Sequence, residues 1–271
     1  MPTTNNNTLI RIETNSMGIE LNTKHGLDIQ RLWLNNEPNK AILGRIPLGY
    51  FEDIRIGSEF HSGHVVFQQP GHLLNNDLIP CVANLSETEG FKRVHTQLRM
   101  PLGPMEKEYR IYNATNRVDL ICRLNWTSYP HGLLRLGHIT LLPDAFDAGS
   151  LWYATHNGGP ALEKFYLDGP DFNQRRPVSF GVSATTAVGM TENIMLIGDN
   201  KYHLKIGIKR EDLAVVPMII WQKHSESFLM QVNFSAGELD DTRHGKTAEK
   251  SNQPLIFHMS LEISTMDMTE K

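Results

Sequence analysis

The chain has few of the residues that mark small secreted proteins or nucleic-acid-binding proteins. Only two of its 271 residues are cysteines, Cys81 and Cys122, and they lie far apart in unlike contexts. This excludes a disulfide-dense scaffold and indicates two small core side chains in a reducing compartment, with a single disulfide left open. The 26 basic and 30 acidic residues give a net charge of −4. Such a balance provides no electrostatic footprint for nucleic acid or an anionic membrane, so neither is expected as a partner.

A membrane-spanning run and a secretory leader are also missing. The longest apolar run, from Leu213 to Trp221, contains Pro217 and is far too short to cross a bilayer. The first ten residues, MPTTNNNTLI, lack both the charged start and the apolar centre of a signal peptide. We therefore expect a cytoplasmic protein.

Helical periodicity is scarce, and short alternating runs take its place. These runs are separated by clusters of Gly, Pro, Asn and Asp at the spacing of an all-β sandwich. No stretch of linker composition interrupts them, and 271 residues suffice for one large core. We predict a single all-β domain over residues 1–271. The predicted strands are 8–14, 18–22, 26–35, 64–69, 92–99, 107–112, 117–126, 133–142, 151–155, 163–167, 193–198, 202–209, 214–222, 228–234 and 255–263.

The segment from Met105 to Trp126 is the most informative part of the chain and predicts a hairpin. Because side chains alternate across a strand, Glu108, Arg110 and Tyr112 share one face. If that face is concave and partly buried, the arginine keeps the carboxylate ionised and fixes its direction. If it is the outer face, the ion pair contributes little. We take Glu108 as a candidate catalytic base and Arg110 as a candidate substrate-binding residue.

A second candidate cluster occupies residues 49–64, between glycines. It combines carboxylates, an arginine, histidines and aromatic rings, which are the groups that bind sugar hydroxyls and sugar C–H surfaces. A polar loop with internal ion pairs explains the same composition equally well. The candidate residues are Glu59 as a catalytic base, with Tyr50, Asp53, Arg55, His61 and His64 for substrate binding.

Metal binding by this cluster requires a particular backbone shape. His61 and His64 are three residues apart and would face opposite ways on a strand, so a shared metal ion needs a turn at Ser62-Gly63. The pattern does not favour that arrangement. No metal and no cofactor are predicted.

A third cluster, Ala154 to Pro160, follows a predicted strand. The run His-Asn-Gly-Gly-Pro cannot continue a strand, so His156 and Asn157 are expected to project from a sharp turn. A histidine titrates near neutrality and suits a general acid or base. A backbone-capping pair in a tight loop is the alternative. We take His156 as a candidate catalytic acid, with Asn157 and the preceding Trp152 as sugar contacts.

The hairpin sequence resembles a known family of carbohydrate-processing domains. The run Glu-Tyr-Arg-Ile-Tyr, then Arg117 to Leu120, then Asn125-Trp126 is similar to a strand pair in the C-terminal β-domains of α-mannosidase-type glycoside hydrolases. The blocks 49–64 and 156–160 resemble sugar-active proteins with a family 57-type glycoside hydrolase domain. The resemblance covers roughly the middle half of the chain. It implies a large antiparallel β-supersandwich of the galactose-mutarotase-like type.

Two functional interpretations follow from that resemblance, and a purely structural oligomerisation domain whose apolar sheet face meets a partner is the third alternative. The first is a carbohydrate-binding or accessory β-domain of a glycoside hydrolase system, which would bind an oligosaccharide or polysaccharide and work with a separate catalytic subunit. The family's catalytic carboxylates and metal belong to a separate α/β domain, and this chain has no counterpart of it. The second is a free-standing sugar-active enzyme, a mutarotase-type epimerase or a hydrolase or lyase. It would use His156 as the acid and Glu108 or Glu59 as the base.

Overall fold

The computed structural model describes most of the chain. The described residues are 3–5, 8–51, 59–126, 128–129, 132–169, 172, 174, 186–224, 227–238, 249–250 and 253–265.

The largest sheet has ten strands, and every neighbouring pair in it is antiparallel. Strands are numbered along the chain. In spatial order the ten are β1 (Thr3–Asn5), β8 (Ala83–Glu87), β9 (Phe91–Met100), β10 (Gly103–Tyr112), β11 (Arg117–Leu124), β21 (Leu255–Thr265), β17 (Tyr202–Ile208), β16 (Ile194–Gly198), β14 (Trp152–His156) and β15 (Leu162–Tyr166).

Three smaller antiparallel sheets complete the described strands. The four-stranded sheet contains β2 (Leu9–Glu13), β3 (Met17–Asn22), β4 (Asp28–Leu34) and β5 (Ala41–Gly44). The five-stranded sheet contains, in spatial order, β18 (Val216–His224), β19 (Ser227–Gly237), β13 (Leu133–Thr140), β6 (Val66–Gln68) and β7 (Asn75–Asn76). The two-stranded sheet pairs β12 (Ser128–Tyr129) with β20 (Glu249–Lys250).

Helix is limited, among the described residues, to three 3₁₀ turns of three residues each, Thr23–His25, Pro143–Ala145 and Ala148–Ser150. None of these helices is long and apolar enough to cross a membrane. The predicted all-β antiparallel class is confirmed. The main strands missed are β5, which is buried throughout and therefore does not alternate, and β8, whose sequence ANLSE is mostly polar.

A contiguous set of buried apolar side chains joins the three larger sheets. Ile19 of the four-stranded sheet, Phe234 of the five-stranded sheet and Ile111 of the ten-stranded sheet all belong to it. Cys122 is buried in the same set, and neither cysteine forms a disulfide.

Strand β10 shows the predicted alternation, with an unexpected inward face. Met105, Lys107, Tyr109 and Ile111 are buried, while the residues between them, including Glu108 and Arg110, are only partly buried on the outward face. A fully buried lysine on a core face is costly unless its charge is paired and hydrogen-bonded.

Lys107 meets that requirement through a buried ion pair. Its Nζ lies 2.5 Å from Oδ2 of the fully buried Asp77 and donates to the carbonyl oxygen of Gly26 at 2.8 Å. Asp77 also accepts a hydrogen bond from the backbone N–H of Val65 at 2.8 Å. Burial raises the pKa of Asp77, because the ionised form loses its hydration there.

Tyr109, two residues further along β10, joins two separate loops. Its hydroxyl group lies 2.9 Å from the carbonyl oxygen of Leu27, to which it donates, and 3.4 Å from the carbonyl oxygen of Gly63. The inward face of β10 therefore fixes the turn at Gly26-Leu27 and the turn at Gly63 relative to each other.

Removal of the buried lysine tests how strongly this face stabilises the fold. We expect Lys107→Met to lower the free energy of unfolding by roughly 3–5 kcal/mol, because it leaves the Asp77 carboxylate buried without its cation. Chemical denaturation provides the measurement. The double variant Lys107→Met/Asp77→Asn should recover part of the loss, and Lys92→Met on the neighbouring strand serves as a control. Equal losses for the two lysine variants would contradict a stabilising buried pair.

Candidate functional site

The turn between β3 and β4 brings His25 and Asp28 together. It starts with a 3₁₀ turn capped by Asn22, and both Gly26 and Leu27 then have positive φ angles, 60° and 59°. A left-handed conformation is unusual for leucine and costs conformational energy. A Cβ at Gly26 would lie 1.9 Å from the carbonyl oxygen of Asp77, so only glycine fits there. The result is a distance of 3.9 Å between His25 Nδ1 and Asp28 Oδ2.

A second turn, at Gly63, brings His61 and His64 to one side of the chain. Gly63 has φ of +76°, and a Cβ there would lie 2.2 Å from the Tyr109 hydroxyl. The two imidazole centroids are 5.9 Å apart in an edge-to-face contact. From the sequence, a turn at Ser62-Gly63 was required before His61 and His64 could face the same way. The structure contains this turn.

His61 and Asp28 form the central pair of the site. His61 Nδ1 lies 2.5 Å from Oδ2 of Asp28, which is fully buried. Since a carboxylate only accepts hydrogen bonds, His61 Nδ1 is the donor. Gln30 donates to both oxygens of Asp28 at 3.0 Å and fixes the plane of the carboxylate. This arrangement directs the other ring nitrogen of His61 towards Glu59, with 3.4 Å between His61 Nε2 and Glu59 Oε2.

Arg45 holds Glu59 in this position. The guanidinium group forms an ion pair with Glu59 and donates to Oε1 of Gln30 at 3.5 Å. Burial acts to raise the pKa of Glu59, but the hydrogen bond from Arg45 and its positive charge outweigh burial and hold this pKa below its ordinary value. Glu59 is therefore a carboxylate at neutral pH, with its side chain one third exposed (33%).

A pocket of about 330 Å³ adjoins this cluster and shares Arg45 and Gln30 with it. That size lies at the lower end of the range for small-molecule sites. Tyr50 and Asp144 also line the pocket, and the Tyr50 hydroxyl donates to Asp144 at 3.2 Å. The lining combines cations, amides and an aromatic ring: Gln30, Arg31, Asn39, Lys40, Ala41, Arg45, Ile46, Pro47, Tyr50, Leu142, Pro143 and Asp144.

Four histidines form a continuous row of ring contacts, which we call the histidine row: His25, His61, His64 and His138. Successive centroid distances are 5.3, 5.9 and 3.9 Å, and the last pair is stacked. The row runs from the partly exposed His25 to the buried His138. Burial lowers the pKa of His138 to about 4 and places the pKa of His64 well below its ordinary value, so both are neutral at pH 7.

The five-stranded sheet supports the histidine row through side-chain hydrogen bonds. Thr140 donates to the carbonyl oxygen of His61 at 3.0 Å, and Gln231 donates to Thr140 Oγ1 at 3.0 Å. Two buried polar atoms nearby have no hydrogen-bond partner among the described residues, His64 Nδ1 and Asn233 Oδ1. Buried polar atoms usually have a hydrogen-bond partner, which for these two can be a water molecule or a ligand.

The Glu108–Arg110 pair lies elsewhere. Glu108 accepts hydrogen bonds from Arg110, at 2.6 Å, and from Arg93, on the outward face of the ten-stranded sheet. The strand's opposite face carries Tyr109, which contacts the site through Leu27. The pair is therefore not brought together with His61, and its catalytic role stays a prediction.

His156 lies at the end of β14, where its carbonyl oxygen accepts hydrogen bonds from the backbone N–H and the hydroxyl of Thr191, at 2.7 and 2.9 Å. Asn157 is exposed in the turn that follows. Trp152 is buried, donates to the carbonyl oxygen of Asp199 at 3.1 Å and is covered by Lys164. These contacts are structural, and the proposed sugar-binding roles stay predictions. Asp53 and Arg55 lie outside the described residues.

Sequence reasoning missed Asp28, His25, Gln30, Arg45 and His138. The sequence predicts strands over 26–35 and 133–142, and polar residues such as Asp28 and His138 do not stand out in these mostly apolar runs. One signal was present: the sequence Asn-Thr-Lys-His-Gly is typical of a short capped turn ended by glycine. It places a histidine next to a positive-φ position.

Solved structures share this arrangement of sheets. A galactose 1-epimerase from Lactobacillus acidophilus superposes with a TM-score of 0.54 at 13% identity, covering 98% of this chain and all (100%) of that one. The Slr1438 protein from Synechocystis gives a TM-score of 0.57 at 12% identity, covering 97% and 98% of the two chains. A galactose mutarotase-like protein from Lactobacillus casei gives 0.56 at 10% identity, covering 94% and 100%. The fold is galactose mutarotase-like.

At these identities the likeness concerns the fold alone. No protein-family model matches the sequence, and no curated protein matches it. A mutarotase-like fold occurs in proteins with several activities, so the function has to be argued from the site.

The buried histidines predict acid sensitivity of the fold. The pKa of His138 falls from 6.5 to about 4 on folding, so between these pH values the unfolded chain binds a proton that the folded chain does not. Stability is therefore complete above about pH 6.5 and decreases as the pH falls towards 4, by roughly 2–3 kcal/mol for this group. Urea denaturation at pH 7.5 and pH 4.5 measures the loss. The variant His138→Gln should show a smaller loss, and an unchanged one would contradict the assignment.

Proposed function

We propose that the chain binds a sugar in the pocket beside Arg45 and acts as a mutarotase-type 1-epimerase. The observation that carries the proposal is the pairing of His61 with Asp28 on one ring nitrogen and with Glu59 on the other, at 2.5 and 3.4 Å. This geometry provides an acid and a base a short distance apart beside a pocket lined with hydrogen-bonding groups.

The reaction requires two proton transfers and no redox change. A base removes the proton of the anomeric hydroxyl, an acid protonates the ring oxygen, and the bond between C1 and that oxygen breaks to give the open aldehyde. Rotation about the C1–C2 bond and reversal of the steps produce the other anomer. Glu59 suits the base, because Arg45 keeps it ionised. His61 suits the acid, because Asp28 orients its ring and each ring nitrogen has a carboxylate within reach.

Two features of the pocket support a sugar ligand. Cationic and amide side chains, among them Lys40, Asn39 and Arg31, present hydrogen-bond donors towards it, and Tyr50 contributes an aromatic ring to its lining. The epimerase from Lactobacillus acidophilus, which has this fold over nearly the whole of both chains, is consistent with the reaction proposed.

A second candidate is a carbohydrate-binding or accessory β-domain of an α-mannosidase-type or family 57-type glycoside hydrolase system. One observation favours it. The same fold forms a part of longer proteins, since this chain matches 36% of an α-N-acetylgalactosaminidase from Bifidobacterium bifidum, at 8% identity and a TM-score of 0.51. Such a domain would bind an oligosaccharide through the same pocket without turnover.

Anomer exchange measured by NMR on freshly dissolved galactose and glucose tests the enzyme. We expect His61→Asn to lower the rate by roughly two to four orders of magnitude, because the acid is lost while the ring's contacts are partly kept. The matched control is His72→Asn, which alters an exposed histidine. A third variant, His156→Ala, decides between the two candidate acids.

The outcomes separate the two candidates. A rate that depends on His61 supports the epimerase. Sugar binding by calorimetry that is lost in Arg45→Met, with no anomer exchange above the uncatalysed rate, supports the binding domain. An exchange rate unchanged in His61→Asn would contradict the mechanism.

A further inference from the structure

We infer that His25, Asp28 and His61 form a binding site for one divalent transition-metal ion of the zinc type. Among the described residues, they form the one group of three or more His, Cys, Asp or Glu side chains that each offer a ligand atom within 4.8 Å of the others. This inference goes beyond the proposed sugar chemistry and does not depend on it, and a bound ion would replace the proton through which His61 Nδ1 contacts Asp28.

The three ligand atoms have spacings close to those of a metal site. Zinc takes imidazole nitrogen at about 2.0–2.1 Å and carboxylate oxygen at about 2.0–2.2 Å, so tetrahedral ligands lie roughly 3.3 Å apart. Here His25 Nδ1 and His61 Nδ1 lie 3.9 and 2.5 Å from Asp28 Oδ2. Each of the three residues offers a ligand atom within 4.8 Å of the other two, so coordination of one ion requires side-chain rotations.

Two of the three ligands, His61 and Asp28, have outer hydrogen-bond partners of the kind that metal ligands require. When His61 binds a metal through Nδ1, its proton moves to Nε2, and Glu59 is in place to accept it at 3.4 Å. Gln30 holds the Asp28 carboxylate through both oxygens. Such outer partners fix the tautomer and the direction of the ligands.

The backbone also holds the ligands in advance. Gly26 and Leu27, which separate His25 from Asp28, both adopt positive φ, and Leu27 is the one described residue other than glycine to do so. Lys107 and Tyr109 bind the two carbonyl oxygens of this turn. Backbone strain that buried side chains maintain is a recurring feature of ligand sites.

The donor set indicates which ion binds. Two imidazoles and one carboxylate suit zinc, cobalt, nickel or ferrous iron, whereas magnesium and calcium prefer oxygen ligands. His25 is 30% exposed, so an ion can enter from solvent. Three protein ligands leave at least one coordination position for water or another small ligand.

Titration of the metal-free protein with Zn²⁺ by calorimetry, and with Co²⁺ by visible absorption, tests the inference. We expect one ion per chain and cobalt d–d bands of a low-coordinate nitrogen and oxygen site. His25→Ala should weaken Zn²⁺ binding at least tenfold, and His72→Ala, which removes an exposed histidine, should not. Glu59→Gln should weaken it about tenfold, because Glu59 accepts the proton of the other ring nitrogen of His61.

Circular dichroism checks that each variant is folded before it is titrated. His25 is chosen for substitution because its side chain is partly exposed, so its replacement disturbs the core little. Absence of one-to-one binding, or equal binding by the wild type and His25→Ala, would overturn the site. If the chain binds one Zn²⁺ ion but shows no sugar turnover, the proposed epimerase is contradicted and the metal site is still supported.

Discussion

The contact between the inward face of β10 and two turns is the constraint on which the candidate site depends. Lys107 and Tyr109 bind the carbonyl oxygens of Gly26 and Leu27, and the Tyr109 hydroxyl also lies beside the carbonyl oxygen of Gly63. One turn carries Asp28 and the other separates His61 from His64. The distance between the central pair is therefore set by side chains of the ten-stranded sheet.

The same contact explains why a charged pair is buried in this core. Asp77 neutralises Lys107 and also holds the backbone at Val65, which follows His64 directly. An apolar pair would fill the same space, but it could not bind the carbonyl oxygen of Gly26. The buried charges thus fix the position of the turn, which apolar packing alone would leave free to move.

The all-β class and most strands were predictable, because alternation along a strand is a local property. The prediction that Glu108 and Arg110 share one face of the hairpin is also confirmed, whereas the sequence left open which face that is. The inward face of the hairpin was not predicted, because the sequence around Lys107 does not indicate that its partner is Asp77, thirty residues earlier in the chain. Asp28 was not recognised as a site residue for a similar reason, because alternation assigns the run that contains it to a strand. His61 and His64 were found by composition, but their side-by-side placement depends on a positive φ at Gly63.

The most direct test of this account is the NMR resonance of the His61 Nδ1 proton, which a short hydrogen bond to Asp28 shifts far downfield and protects from exchange. We predict that Tyr109→Phe weakens or abolishes this resonance. Tyr112→Phe, which removes a hydrogen-bonded hydroxyl from the opposite face of the same strand, should leave it unchanged. An identical resonance in the wild type and Tyr109→Phe would contradict the claim that β10 positions the site.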